Sequence, residues 1–123
     1  MLARGLALNR ISFGLGLMLT PGLYARTWVG SDAAGEDATR LLARALGARD
    51  LALGAGGLLA LREGDAERAR RWFAAQGITD AVDFLATVAA RDVPLPARVF
   101  AGVMAAGSTA IAAAYVASAD RTP

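Results

Sequence analysis

The feature that most constrains this chain is a long apolar segment, residues 72–90, that contains two acidic residues. On a helical wheel, Gln76, Asp80, Asp83 and Thr87 fall within an arc of roughly 60°. Nearly all the other side chains on the wheel are apolar or small. A carboxylate on such a helix must be solvated, neutralised or paired with a cation from a neighbouring helix. The segment therefore predicts a buried polar network.

The other apolar segments supply the cations for such a network. All 13 cationic residues are arginines, because the chain has no lysine or histidine, and arginine stays charged at any relevant pH. Pairing across helices also avoids the cost of isolated charges in an apolar medium. We therefore expect a polar network made of Arg10, Arg44, Arg49, Asp50, Gln76, Asp80, Asp83 and Thr87.

The composition excludes several classes of chemistry. The chain has no cysteine and no histidine, which removes thiolate nucleophiles, disulfides, iron–sulfur sites and the usual zinc and haem ligands. The absence of lysine excludes Schiff-base catalysis. The net charge is only +2, with no basic stripe interleaved with exposed aromatic residues. We expect no enzymatic activity, no cofactor or metal, and no nucleic-acid partner.

Four apolar runs suggest the architecture, since 55% of the residues are hydrophobic and the mean hydropathy is +0.41. The runs cover about residues 2–24, 39–61, 72–90 and 98–117, close to the roughly 20 residues that cross a bilayer. The sequence predicts an all-α, four-transmembrane-helix up-down bundle forming one integral membrane domain over residues 1–123. The alternative is a soluble bundle with an alanine-rich core, but the first and last runs lack the polar face it needs.

The packing surfaces and the topology follow from two further patterns. Gly47, Asp50, Gly54 and Gly57 share one face of the second run, and such a small-residue face lets another helix approach closely. The arginines near the run ends divide six to four in favour of the side holding both termini. The prediction is a multi-pass protein of the inner (plasma) membrane with both termini cytoplasmic.

The pattern resembles a family of small four-helix bacterial membrane proteins of unknown function, relatives of the DoxX-like group. Three segments carry the resemblance: Asn9-Arg10-Ile-x-x-Gly14 leading to Pro21, Arg40 to Leu51 (Arg-Leu-Leu-Ala-Arg-Ala-Leu-Gly-Ala-Arg-Asp-Leu), and Asp80-x-x-Asp83. The resemblance implies the four-helix membrane architecture but supplies no established activity or site. The size also matches small multidrug transporters, from which the chain departs in having Arg10 in place of a membrane-embedded glutamate in the first helix.

Three functional interpretations follow. The first is a non-enzymatic membrane protein, an accessory or assembly subunit, whose Arg/Asp network fixes helix register and holds the bundle together. The second is a proton-coupled carrier of a small solute or cation that uses Asp80 and Asp83, whose proximity favours protonation of one of them. The third is a membrane redox accessory, which the DoxX-like resemblance alone suggests. The expected partners are the lipid bilayer and either further copies of the chain or a membrane complex.

Overall fold

The computed structural model describes residues 1–119, which form helices joined by short connections. In chain order the helices are α1 (Leu2–Leu19), α2 (Pro21–Val29), α3 (Ser31–Ala34), α4 (Asp37–Glu63), α5 (Ala66–Ala89) and α6 (Leu95–Ala119). Helix α1 packs mainly along α4, and α5 mainly along α6, while contacts between α4 and α5 join the two pairs. Residues 120–123, which include one arginine of the topology argument and the end of the domain predicted over 1–123, lie outside the described residues.

The first apolar run, which the sequence treats as one helix over residues 2–24, is two helices. Helix α1 ends where Thr20 leaves the helical conformation, with φ −130° and ψ 59°, and Pro21 begins α2. Proline has no backbone N–H and its ring clashes with the preceding turn, so it starts a helix readily and interrupts one. The new direction of α2 places the ring of Phe13 against Tyr24 and Trp28, at centroid distances of 5.4 and 5.2 Å.

The segment 62–71 lies between two predicted apolar runs, and its mixed charges predict a loop with a helical tendency toward its end; in the structure it is helical except at residues 64 and 65. Helix α4 continues to Glu63 and ends at Gly64, whose φ of 73° is a left-handed conformation that favours glycine. Helix α5 then begins at once, because the Asp65 side chain accepts a hydrogen bond of 2.8 Å from the Arg68 backbone N–H. The third long helix therefore begins at Ala66 in the structure, whereas the sequence predicts its start at residue 72.

The charged start of α5 is held by ion pairs on the protein surface. Arg70 and Arg71 both donate to the Glu67 carboxylate, from their Nε atoms at 2.9 and 3.0 Å. These hydrogen bonds, that from Arg70 above all, lower the pKa of the exposed Glu67 carboxyl to about 2. The carboxylate also lies in the first turn of α5, where the helix dipole favours a negative charge.

The structure does not support the predicted four-transmembrane-helix bundle. Within residues 1–119, only α6, over Leu95–Ser118, is long and apolar enough to cross a membrane, with a mean hydropathy of 1.7. Charged residues interrupt the apolar stretches of the other long helices, for example Arg4 and Arg10 in α1. The predictions of a multi-pass protein and of an inner-membrane location with both termini cytoplasmic are therefore wrong. The all-α class holds for the described residues, with six helices in place of four.

Candidate functional site

The polar network lies where α1 and α4 approach each other most closely. The approach depends on glycine, because a Cβ atom added to Gly14 would lie 2.6 Å from the Gly47 carbonyl oxygen. Two turns further along α4, a Cβ on Gly54 would lie 2.8 Å from the carbonyl oxygen of Ala7. Real Cβ atoms do not come this close to backbone atoms. The small-residue face on α4 thus allows a backbone contact that brings Arg10 of α1 against α4.

Arg10 joins three helices through two buried ion pairs. Its Nη1 atom donates to Asp50 Oδ1 of α4 at 2.8 Å, and its Nη2 atom contacts Asp80 Oδ1 of α5. All three residues are buried, with exposed fractions of 5%, 6% and 5% for Arg10, Asp50 and Asp80. A guanidinium group has its donors arranged in a fork, so one side chain can bind carboxylates from two directions.

Arg49 extends this arrangement on the more exposed side of α4. Its Nη1 and Nη2 atoms donate to the two carboxylate oxygens of Asp83, at 3.2 and 2.6 Å. Its Nε and Nη2 atoms also lie 3.3 and 3.2 Å from Asp50 Oδ1. The result is a continuous ion-pair chain in the order Asp80, Arg10, Asp50, Arg49 and Asp83, which connects α1, α4 and α5.

The surroundings change the protonation behaviour of two members of the ion-pair chain. Burial raises the pKa of the Asp80 carboxyl above its ordinary value, although the hydrogen bond and the charge of Arg10 act in the opposite direction. Burial alone would lower the pKa of the Arg49 guanidinium. The hydrogen bond from Arg49 to Asp83 and the charges of Asp50 and Asp83 outweigh burial, so the pKa of Arg49 is raised. Arg49 therefore stays charged.

Three residues expected in the network lie outside the ion-pair chain. Gln76 is fully buried, and its Nε2 donates to the carbonyl oxygen of Leu53 at 2.9 Å, so it connects α5 to the backbone of α4. The Thr87 hydroxyl donates to the backbone carbonyl of Asp83, one turn earlier in the same helix, at 2.7 Å. Arg44 is exposed on α4 and has no ion pair with any residue of the described range.

The ion-pair chain borders a cavity of about 460 Å³. Its floor includes Arg10, Asp50, Asp80 and Asp83, and α6 forms its opposite wall. Apolar side chains that sequence reasoning did not assign to a site complete the cavity, principally Phe13, Trp28, Phe100 and Met104. These side chains come from α1, α2 and α6, and no periodicity within one helix reports how separate helices are placed.

Within residues 1–119, no group of three or more acidic, histidine or cysteine side chains is arranged to hold a metal ion. The carboxylates of the ion-pair chain contact guanidinium groups instead. Comparison with protein-family models, with curated proteins and with solved structures finds no match to this chain. The DoxX-like resemblance therefore stays a prediction from sequence, and functional inference depends on the geometry of the site.

Proposed function

We propose that the protein is a non-enzymatic, membrane-associated helical bundle, an accessory or assembly subunit in which the ion-pair chain fixes how the helices meet. The observation that supports this role most directly is that each of two guanidinium groups forms ion pairs with two carboxylates. Arg10 and Arg49 each contact carboxylates on two sides, so that three separate helices are linked. A buried charge that loses its partner is strongly destabilising, which makes such a chain selective for one helix arrangement.

The structural role predicts energetic coupling between Arg49 and Asp83. Their side chains are 31% and 38% exposed, so solvent screens part of the interaction. In a double-mutant cycle with Arg49→Gln and Asp83→Asn, we expect a coupling energy of about 0.5–1 kcal/mol in the free energy of unfolding. The measurement is chemical unfolding followed by circular dichroism. A coupling energy of zero would argue against this structural role and for the carrier interpretation, in which the aspartates titrate without supporting the fold.

The lipid association is proposed from the surface of α6. The span Leu95–Ser118 has only 11% of its most apolar window buried, and its length of ~36 Å exceeds the ~30 Å hydrocarbon core. No charged residue follows Arg98 in this span. Large apolar side chains stand exposed on it, including Val99 at 56% and Val103 at 66%. An uncharged, outward-facing apolar helix of this length matches the interior of a bilayer better than it matches water.

Flotation with phosphatidylcholine vesicles tests the lipid association. The full chain is expected to float with the vesicles, while Val103→Arg is expected to partition roughly 100-fold less, because an arginine near the centre of a span costs about 3 kcal/mol. Ala66→Arg, in the exposed charged start of α5, is the matched control and should float normally. Two results would contradict the proposal: a wild-type chain that stays unbound and monodisperse without detergent, or a Val103→Arg chain that floats like the wild type.

The redox-accessory interpretation stays a prediction that depends on resemblance alone. The carrier interpretation has one feature in its favour, the cavity beside Asp80 and Asp83.

A further inference from the structure

The cavity next to the ion-pair chain has the size and the walls of a small-molecule site. Its volume of about 460 Å³ lies within the roughly 300–1,000 Å³ that ligand pockets occupy. The side chains of Phe13, Trp28, Phe100 and Met104 give it apolar surfaces on several sides. Ligand sites of this kind combine an apolar wall with a few polar groups that fix the orientation of the ligand.

One residue of the cavity floor, Asp80, has a buried carboxylate oxygen without a hydrogen-bond partner. Asp80 is only 5% exposed and lines the cavity. Its Oδ1 contacts Arg10, but its Oδ2 has no hydrogen-bond partner. By contrast, both oxygens of the neighbouring Asp83 carboxylate accept from Arg49. Leaving a buried acceptor unsatisfied costs free energy, so Asp80 Oδ2 favours a donor supplied from outside the chain.

The charge of the ion-pair chain points to the kind of donor. Its members are three carboxylates and two guanidinium groups, which leaves one negative charge in excess. The remaining cation at the cavity, Arg98, donates instead to the backbone carbonyl of Val88 at the far end of α5, at 3.0 Å. A positively charged donor at Asp80 would therefore balance the chain.

We propose that the cavity binds a protonated organic amine with an apolar body. The ammonium group would donate to Asp80 Oδ2 and lie against the cavity side of the Asp83 carboxylate. The apolar body would pack between Phe13, Trp28 and Phe100, where aromatic faces also attract a cation. Less than 1 Å² of Asp80 Oδ2 is exposed, so binding requires a rotation of the Asp80 side chain that turns this oxygen toward the cavity.

Calorimetric titration of the full chain in mild detergent tests this proposal with three probes of one shape. These are 2-phenylethylammonium, the neutral 2-phenylethanol and the anionic 3-phenylpropionate. We expect the ammonium to bind at least tenfold more tightly than the other two, because a hydrogen bond to a charged group is worth roughly that factor or more. Equal affinities for the cation and the alcohol would show that only the apolar ring contributes to binding, and would overturn the proposal.

Two variants locate the binding within the cavity. Asp80→Asn should weaken ammonium binding at least tenfold, but it also removes an ion pair with Arg10 and therefore acts on folding as well as on binding. Ala105→Phe avoids this difficulty because it fills the cavity from the α6 wall and leaves the ion-pair chain intact. It should abolish ammonium binding, while Ala113→Phe, exposed elsewhere on α6, should bind like the wild type. Unchanged affinity in folded Ala105→Phe would show that the ammonium binds elsewhere and overturn the assignment.

Discussion

Replacing Asp50 by asparagine is expected to lower the free energy of unfolding by about 1–3 kcal/mol, the range for losing a buried hydrogen-bond partner of charged groups. Asp50 is the central member of the ion-pair chain, because its Oδ1 lies within 3.3 Å of donors from both Arg10 and Arg49. The substitution removes the negative charge between two guanidinium groups and places an amide in a site that is 6% exposed. Arg10 would then be balanced by Asp80 alone. Thermal or chemical unfolding followed by circular dichroism measures the loss.

Asp37→Asn, in the same helix, is the matched control for this substitution. Asp37 lies 3.6 Å from Arg40 in an ion pair whose two side chains are 100% and 46% exposed. Solvent and salt screen an exposed pair of this kind, so the control variant should unfold nearly like the wild type. If the two variants lost the same unfolding free energy, the buried ion pairs would stabilise the protein no more than an exposed pair does, and the proposed structural role would be wrong.

The residues of the ion-pair chain could be predicted from sequence, because the periodicity of each helix shows which of its charged residues lie on an otherwise apolar or small-residue face. The wheel of α5 places Asp80 and Asp83 on one side, and that of α4 places Asp50 among the glycines. A charge in an apolar helix needs an opposite charge, so the arginines of the first two runs were the available partners. Which arginine meets which aspartate, however, depends on the offset between helices, and a single sequence does not contain that offset.

The residues that were predicted for the network and lie outside the ion-pair chain show the limit of the wheel argument. Thr87 shares the arc of the two aspartates, but a hydroxyl in a helix readily donates to the carbonyl one turn earlier, and it does so here. Gln76 also shares the arc, yet it reaches the backbone of α4 at Leu53. A common angular position therefore predicts a common direction without fixing the partner that each polar group finds.

The membrane prediction went wrong for a related physical reason. Pairing charged residues such as Arg10 and Asp50 inside hydrocarbon was expected to remove most of their cost. The same residues lower the hydropathy of the first three runs, and within residues 1–119 only α6 keeps the composition of a span. The break at Pro21 shortens the first run further. A count of apolar residues over a run gives too little weight to these charges and to the proline.

Gly47→Ala is expected to cost about 1–3 kcal/mol or more of unfolding free energy, the usual range for overpacking a tight interface. The added Cβ would lie 2.6 Å from the carbonyl oxygen of Gly14 and 2.8 Å from the Cβ of Leu17. A side chain can rotate away from a clash, but a backbone carbonyl moves only when its helix moves. Alanine at position 47 therefore pushes α1 away from α4. Unfolding followed by circular dichroism measures the cost.

Gly5→Ala provides the control, because nothing lies within 4 Å of a Cβ added at Gly5 in α1. Alanine is the better helix former by up to about 1 kcal/mol, so Gly5→Ala should leave stability unchanged or raise it. A Gly47→Ala chain that gained stability in the same way would contradict the close backbone contact. Moving α1 also lengthens the contact from Arg10 to Asp50. The losses in Gly47→Ala and Asp50→Asn should therefore sum to more than the loss in the double variant, since both act on the same contact between α1 and α4.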